Sequence, residues 1–147
     1  YGVYAVDWIK AGETIMEYVG QAYAFKQRKG GLDGEEPNLA EIREARYDWQ
    51  HGNCYIFSLE ADKSQAEGNV ACTKTKFVDA TDSGNLARYI NHSCEPNCES
   101  VRMPHNAVAI VALRDLLPGE ELFYDYHFSD KSKEVCLCGA RTCTGNM

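Results

Sequence analysis

The end of this chain reads Cys136-Leu137-Cys138 and then Cys143, a Cys-x-Cys-x4-Cys cluster in a Cys/Gly-rich stretch with no apolar core of its own. Three thiolates so close together suit one tetrahedral zinc ion, which takes four nitrogen or sulfur ligands. The tail holds no further Cys or His, so the fourth ligand has to come from another part of the fold. Such a site pins the tail onto the body of the domain, because metal binding and folding are coupled there. Two candidates stand in His92-Ser93-Cys94-Glu95-Pro96-Asn97-Cys98, namely Cys94 and Cys98. Cys54 and Cys72 read as ordinary strand or loop residues. Seven cysteines in all is an odd number, which matches a fully paired secreted framework poorly. Their clustering points instead to metal and to a reducing, intracellular setting.

The body of the sequence reads as a β-dominated domain. Residues 2–20 pattern as strand, Gly turn, strand, with Val3 to Val6 before Gly12-Glu13 and Thr14 to Val19 after it. The pattern returns 107 residues later, where Ala112, Leu116, Gly119, Glu120 and Leu122 echo Ala5, Ile9, Gly12, Glu13 and Ile15. Residues 21–37 are polar and Gly-interrupted and read as a loop or insertion. Asn38 caps an expected helix to about Gln50, with Leu39, Ile42, Ala45 and Trp49 on one face. Cys54 to Leu59 reads as a strand with Tyr55, Phe57 and Leu59 on one side. A second polar insertion covers 60–74, Phe77 to Ala80 is a short strand, and Ala107 to Leu113 is a buried one. There is no βαβ alternation and no Gly-rich phosphate loop, so a doubly wound nucleotide fold is not expected.

No apolar run approaches the roughly 18 residues of a membrane span, and no signal-peptide pattern opens the chain. The chain begins at Tyr1-Gly2-Val3-Tyr4 without Met and already strand-like, and is read as an excised fragment. Its formal charge of −7 argues against contact with a nucleic-acid backbone and suits a basic, Lys/Arg-rich partner.

Four segments, in order, resemble the motifs of SET-domain lysine methyltransferases. Gly2-Val3-Tyr4-Ala5 with Gly12-Glu13 and Glu17-Tyr18-Val19-Gly20 is similar to the N-terminal motif. Arg88-Tyr89-Ile90-Asn91-His92-Ser93-Cys94-Glu95-Pro96-Asn97-Cys98 resembles the central motif, and Glu120-Glu121-Leu122-Phe123-Tyr124-Asp125-Tyr126 the C-terminal catalytic one. The cysteine tail resembles the post-SET zinc segment. The resemblance implies a mainly β (minor α) fold of small sheets, with a C-terminal pseudoknot and a zinc-binding tail. It places the SET domain at 1–128, with an insert at 21–53, and the post-SET segment at 129–147. The stretch 61–76 is longer than is usual in the family.

The resemblance also implies methyl transfer from S-adenosylmethionine to a lysine ε-amine, with cofactor and peptide meeting through a narrow channel. The chemistry is an in-line displacement by a neutral amine, and at pH 7 only about one free Lys in a thousand is neutral. A site for it has to desolvate the ammonium, release its proton and hold the reacting atoms in line. Tyr124 and Tyr126 lie two apart on an expected strand, so their rings share a face and can wall such a channel. By the resemblance Tyr126 is the catalytic tyrosine, and Tyr124 occupies a Tyr/Phe position where Tyr accompanies mono- and dimethylation. Cofactor contacts fall to Tyr1, Gly2, Tyr55, Asn91, His92 and Leu137. Cys94 joins Cys136, Cys138 and Cys143 as the structural Zn2+ ligands, which makes Asn91–Cys94 a junction between the two sites. Arg88 reads as a buried structural residue, and His51, His105 and His127 as surface residues. The implied partner is a basic peptide, a histone tail, in the nucleus at chromatin, with room for accessory subunits and no role at a membrane. The alternative is a non-catalytic SET-like module that holds a lysine peptide without turnover.

Overall fold

The computed structural model describes residues 1–27, 55–59, 73–127 and 135–146. They belong to two compact units, Tyr1–Tyr18 with Leu86–Met147, and Val19–Asn85. The expected helix over 38–50, Cys54, Cys72, His51 and most of the second insertion lie outside the described residues. Among the described residues strands dominate, helical structure is confined to short 3₁₀ turns at Leu86–Tyr89 and Pro104–Asn106, and no helix is long and apolar enough to cross a membrane. The mainly β expectation holds.

In the first unit, β1 (Thr14–Glu17), β6 (Cys98–Arg102) and β7 (Val108–Ala112) form a three-stranded antiparallel sheet in the order β1-β7-β6. The central strand is the apolar Val-Ala-Ile-Val-Ala run, because a strand flanked on both edges has few positions open to water. Val108 and Ile110 are fully buried, with Ile90, Leu116 and Leu122 completing the core. A second, two-residue sheet pairs β5 (Asn91–His92) in parallel with β8 (Phe123–Tyr124), Asn91 opposite Phe123 and His92 opposite Tyr124.

The two echoed segments bind each other. Ile9 and Leu116 exchange both backbone hydrogen bonds, at 3.1 and 2.8 Å. The Ala5 N–H donates to the Glu120 carbonyl (2.8 Å), and its counterpart Ala112 donates to the Glu13 carbonyl (3.0 Å). Gly119 donates to Ala5 (2.7 Å) just as Gly12 donates to Ala112 (2.8 Å). Each segment has the same turn, closed by Glu13 on Lys10 and by Glu120 on Leu117, with each glutamate side chain accepting from the N–H of the turn's first residue. Gly12 and Gly119 have φ of 80° and 85°, which L side chains avoid. Pro118, the counterpart of Ala11, suits the second position of such a turn and lacks the N–H that Ala11 gives to Asp115. The sequence echo is thus a local two-fold pairing.

The second unit holds β2 (Gln21–Gln27), β3 (Ile56–Leu59) and β4 (Thr73–Asp79), antiparallel in the order β2-β4-β3. Two sequence expectations are corrected here. Residues 21–27 form a strand rather than loop, and β4 begins at Thr73, inside the expected insertion. Gln-Ala-Tyr-Ala-Phe-Lys-Gln is polar in composition but alternates in period two, and Tyr23 stacks on Phe77 at 5.2 Å between ring centroids.

Candidate functional site

Successive residues of a strand face opposite ways, and β5 uses this to serve two neighbourhoods. The Asn91 amide donates to the Tyr1 carbonyl and to Glu121 Oε1, both at 2.8 Å. Glu121 Oε2 accepts from the Tyr4 hydroxyl at 3.2 Å, and that bond to a carboxylate raises the Tyr4 phenol above its ordinary pKa. A Cβ on Gly2 would run into the Glu121 carboxylate, so a larger residue there would push that side chain out of its place beside Asn91. Tyr1, Gly2 and Asn91, expected to contact the cofactor, are therefore brought together through Glu121, which the sequence reading did not single out.

His92 turns the other way and its side chain is 7% exposed. Its Nδ1 accepts the backbone N–H of Tyr126 at 3.2 Å, and its Nε2 lies 3.5 Å from Cys94 Sγ. Burial lowers its pKa, against the opposing pull of Asp125.

The tyrosine pair stands beside it. The rings of Tyr124 and Tyr126 are 4.9 Å apart, tilted by 49°. β8 ends at Tyr124, so the pair is joined by ring contact rather than by the continuous strand expected. The Tyr126 hydroxyl donates to the Ile90 carbonyl at 2.8 Å. Tyr124 is 7% exposed, and burial, with Tyr18 and Tyr126 nearby, drives its phenol far above the ordinary pKa. The Tyr124 phenol is thus neutral at any physiological pH, and the faces of the two rings suit a cation. Buried Tyr18 joins this group; the sequence reading had given it no role at the site.

Asn97 is a third such addition, after Glu121 and Tyr18. It is 4% exposed. Its Oδ1 accepts the Phe123 N–H and its Nδ2 donates to the Glu121 carbonyl, each at 2.8 Å. The side-chain amide thus takes the place of a neighbouring strand along 121–123 and fixes the segment that leads to both tyrosines.

The Sγ atoms of Cys94, Cys136, Cys138 and Cys143 lie within 4.8 Å of one another, with Cys94 and Cys136 at 3.8 Å. Of the two cysteines left open by spacing, Cys94 joins the tail. Cys98 is fully buried in β6, and burial pushes its thiol up to about 11. Backbone N–H groups of Cys94 and Ala140 hold Cys138 down to about 6, whereas lost hydration and the neighbouring sulfurs drive Cys94 well up. That split is what crowded acids do when they cannot all ionise. A divalent cation removes the conflict, and four sulfur donors at this spacing fit a tetrahedral one. Glu95 Oε1 also accepts the Thr142 N–H at 3.2 Å, tying the tail to the same loop.

The remaining expected residues are less engaged. Leu137 is 89% exposed between its two cysteines, and His105 and His127 are exposed. Tyr55 belongs to the second unit, where its carbonyl accepts the Ala80 N–H at 2.9 Å. Arg88 is half-buried, bonded to the Tyr89 hydroxyl and stacked over that ring.

A family model described as the SET domain matches residues 1–127. Among curated relatives, a histone-lysine N-methyltransferase, H3 lysine-4 specific, of Cryptococcus neoformans is 39% identical over 99% of this chain and 9% of its own length. The protein of the same description in Saccharomyces cerevisiae is 36% identical over 99% of the chain and 12% of its own length. Histone-lysine N-methyltransferase trithorax of Drosophila virilis is 36% identical over 97% and 3% respectively. The chain therefore spans a small part of the proteins it resembles.

Proposed function

The chain belongs to the SET-domain family, and on that premise we propose that it is a protein-lysine N-methyltransferase that takes its methyl group from S-adenosylmethionine and modifies a lysine of a histone tail. The observation that carries the proposal is the tyrosine pair: a buried and a half-buried ring in contact, one hydroxyl fixed by the Ile90 carbonyl. S-adenosylmethionine, when bound, supplies an electrophilic methyl on a sulfonium. Tyr1, Gly2, Asn91, the backbone of His92, and Leu137 are assigned to hold it. The exposed Tyr1–Gly2 backbone, kept in place by Asn91 and Glu121, suits a small polar ligand.

Tyr124 and Tyr126 wall the lysine channel, shed water from the ammonium and orient the neutral amine. The Tyr124 hydroxyl restricts room, so mono- and dimethylation are the expected products. Zn2+ on Cys94, Cys136, Cys138 and Cys143 is structural and holds the 129–147 segment onto the 1–128 domain. The charge of −7 favours a basic tail as substrate, and the setting is chromatin in the nucleus.

The test is transfer of labelled methyl from the cofactor to recombinant histones, read lysine by lysine. Label on a histone-tail lysine, abolished by Tyr126→Phe, supports the proposal. Calorimetric cofactor binding with no transfer to any histone or basic peptide would replace it with a non-catalytic lysine-binding module.

A further inference from the structure

The geometry points to His92 as a positioning residue that couples the metal-site sulfur of Cys94 to the backbone of Tyr126. The inference rests on the reading of Tyr126 as the catalytic tyrosine and Cys94 as a metal ligand, and goes beyond it by assigning the imidazole a role other than cofactor contact.

Three observations carry it. The ring is almost wholly enclosed, with a side-chain exposure of 7%, so it offers little surface to a cofactor. Nδ1 accepts the Tyr126 N–H at 3.2 Å, which requires a lone pair on that nitrogen. A neutral imidazole then carries its proton on Nε2, and Nε2 faces Cys94 Sγ at 3.5 Å. The result is one chain of bonds: Cys94 sulfur, imidazole N–H, imidazole lone pair, Tyr126 N–H. The rings of His92 and Tyr126 also touch, with centroids 5.3 Å apart. The Tyr126 hydroxyl is fixed to Ile90, two residues before His92, so the tyrosine is held at its backbone and at its tip from the same segment. Asp125 Oδ1 stands 3.7 Å from Nδ1, beyond hydrogen-bond reach, and its other oxygen faces His127 at 3.4 Å. The Nδ1 acceptor role therefore belongs to the Tyr126 N–H.

An N–H directed at a metal-bound thiolate lowers the energy of the sulfur lone pair and fixes the ligand's direction. Here the same ring fixes Tyr126, so the metal centre and the tyrosine share one support. His92→Asn places an amide near Nδ1 but falls short of the sulfur. His92→Gln reaches the Nε2 position but leaves the Tyr126 N–H without its acceptor. Each variant cuts one half of the connection.

The experiment uses zinc- and cobalt-loaded protein. Nitrogen NMR of the wild type should show His92 protonated on Nε2 alone. The sulfur-to-cobalt charge-transfer band should move to lower energy in His92→Asn and stay near the wild-type position in His92→Gln. Exchanging zinc for cadmium should shift the Tyr126 amide resonance in the wild type and leave it nearly still in both variants. On peptide, both variants should lose roughly tenfold to a hundredfold in kcat, with KM for cofactor and peptide changed less than about threefold. An unmoved cobalt band in His92→Asn, or a proton found on Nδ1, overturns the inference. So does a rise in cofactor KM at unchanged kcat, which would make the imidazole a cofactor contact. The spectroscopic measurements need no turnover. A wild type that fails to methylate but shows the tautomer, band and amide shifts would sink the proposed function and leave this connection standing.

Discussion

Replacing Asn97 should be among the most damaging single changes outside the four-cysteine cluster. Its two 2.8 Å bonds satisfy the N–H of Phe123 and the carbonyl of Glu121 from a side chain that is 4% exposed. In Asn97→Ala both backbone groups lose their partner in an enclosed place. A stranded buried polar group costs about 1–3 kcal/mol, and partial rehydration relieves some of it, so about 2–4 kcal/mol is expected in total. In a chain of this size that lowers Tm by roughly 5–15 °C. The assay is urea and thermal unfolding of zinc-loaded protein, followed by tryptophan fluorescence. Asn97→Asp is the companion variant. It keeps the acceptor for Phe123 but turns the donor toward Glu121 into a second acceptor, beside a Glu120 oxygen that now lies 3.4 Å from Nδ2. Its loss should match or exceed that of the alanine variant despite identical shape. A loss below about 0.5 kcal/mol in both variants would show that water replaces the amide without penalty, and the strand-substitute argument would fail.

The Arg114 guanidinium, helped by the Leu117 N–H, holds the Glu120 carboxyl at about 2 instead of 4.5. A depressed carboxylate stabilises the fold fully above its ordinary pKa and ceases to as pH falls through the folded one. The stability gap between wild type and Glu120→Gln should thus close between pH 4.5 and about 2; a constant gap in urea titrations would assign the effect to packing. Gly12→Ala and Gly119→Ala meet no atom within 4 Å, so each should cost only the left-handed backbone penalty, about 1–2 kcal/mol, and nearly the same amount. Clearly unequal losses in thermal melts would mean that the two turns are not equivalent. Tyr124→Phe should raise the trimethylated share of product on a histone peptide, and mass spectra with unchanged product states would remove Tyr124 from that role.

The site was legible where chemistry forces residues together. Three tail cysteines read as metal ligands call for a fourth donor, and the chain offered two, but spacing alone does not reveal which sulfur a strand turns inward. Cys98 opens β6 opposite Ala112 and is buried by that pairing, which leaves Cys94 in the loop to meet the tail. Asn97 and Glu121 were not legible, because a side chain that completes someone else's backbone leaves no periodic trace. β2 was hidden by composition: its glutamines and lysine mask an alternation that becomes meaningful only once β4 lies beside it. The pairing of the two echoed turns was visible as a repeat yet not as a contact, since nothing in a repeat says that its copies touch.

That pairing has a kinetic consequence. The partners of the first turn and its strands lie about a hundred residues or more further along the chain, so during synthesis Ala5, Ile9 and Gly12 lack them until the 112–120 segment has left the ribosome. Closure of so long a loop is slow, and order in the N-terminal strands waits for the C-terminal ones. A nascent chain stopped short of Leu122 should therefore stay protease-sensitive from its first residue, a dependence that a domain built from local hairpins would escape.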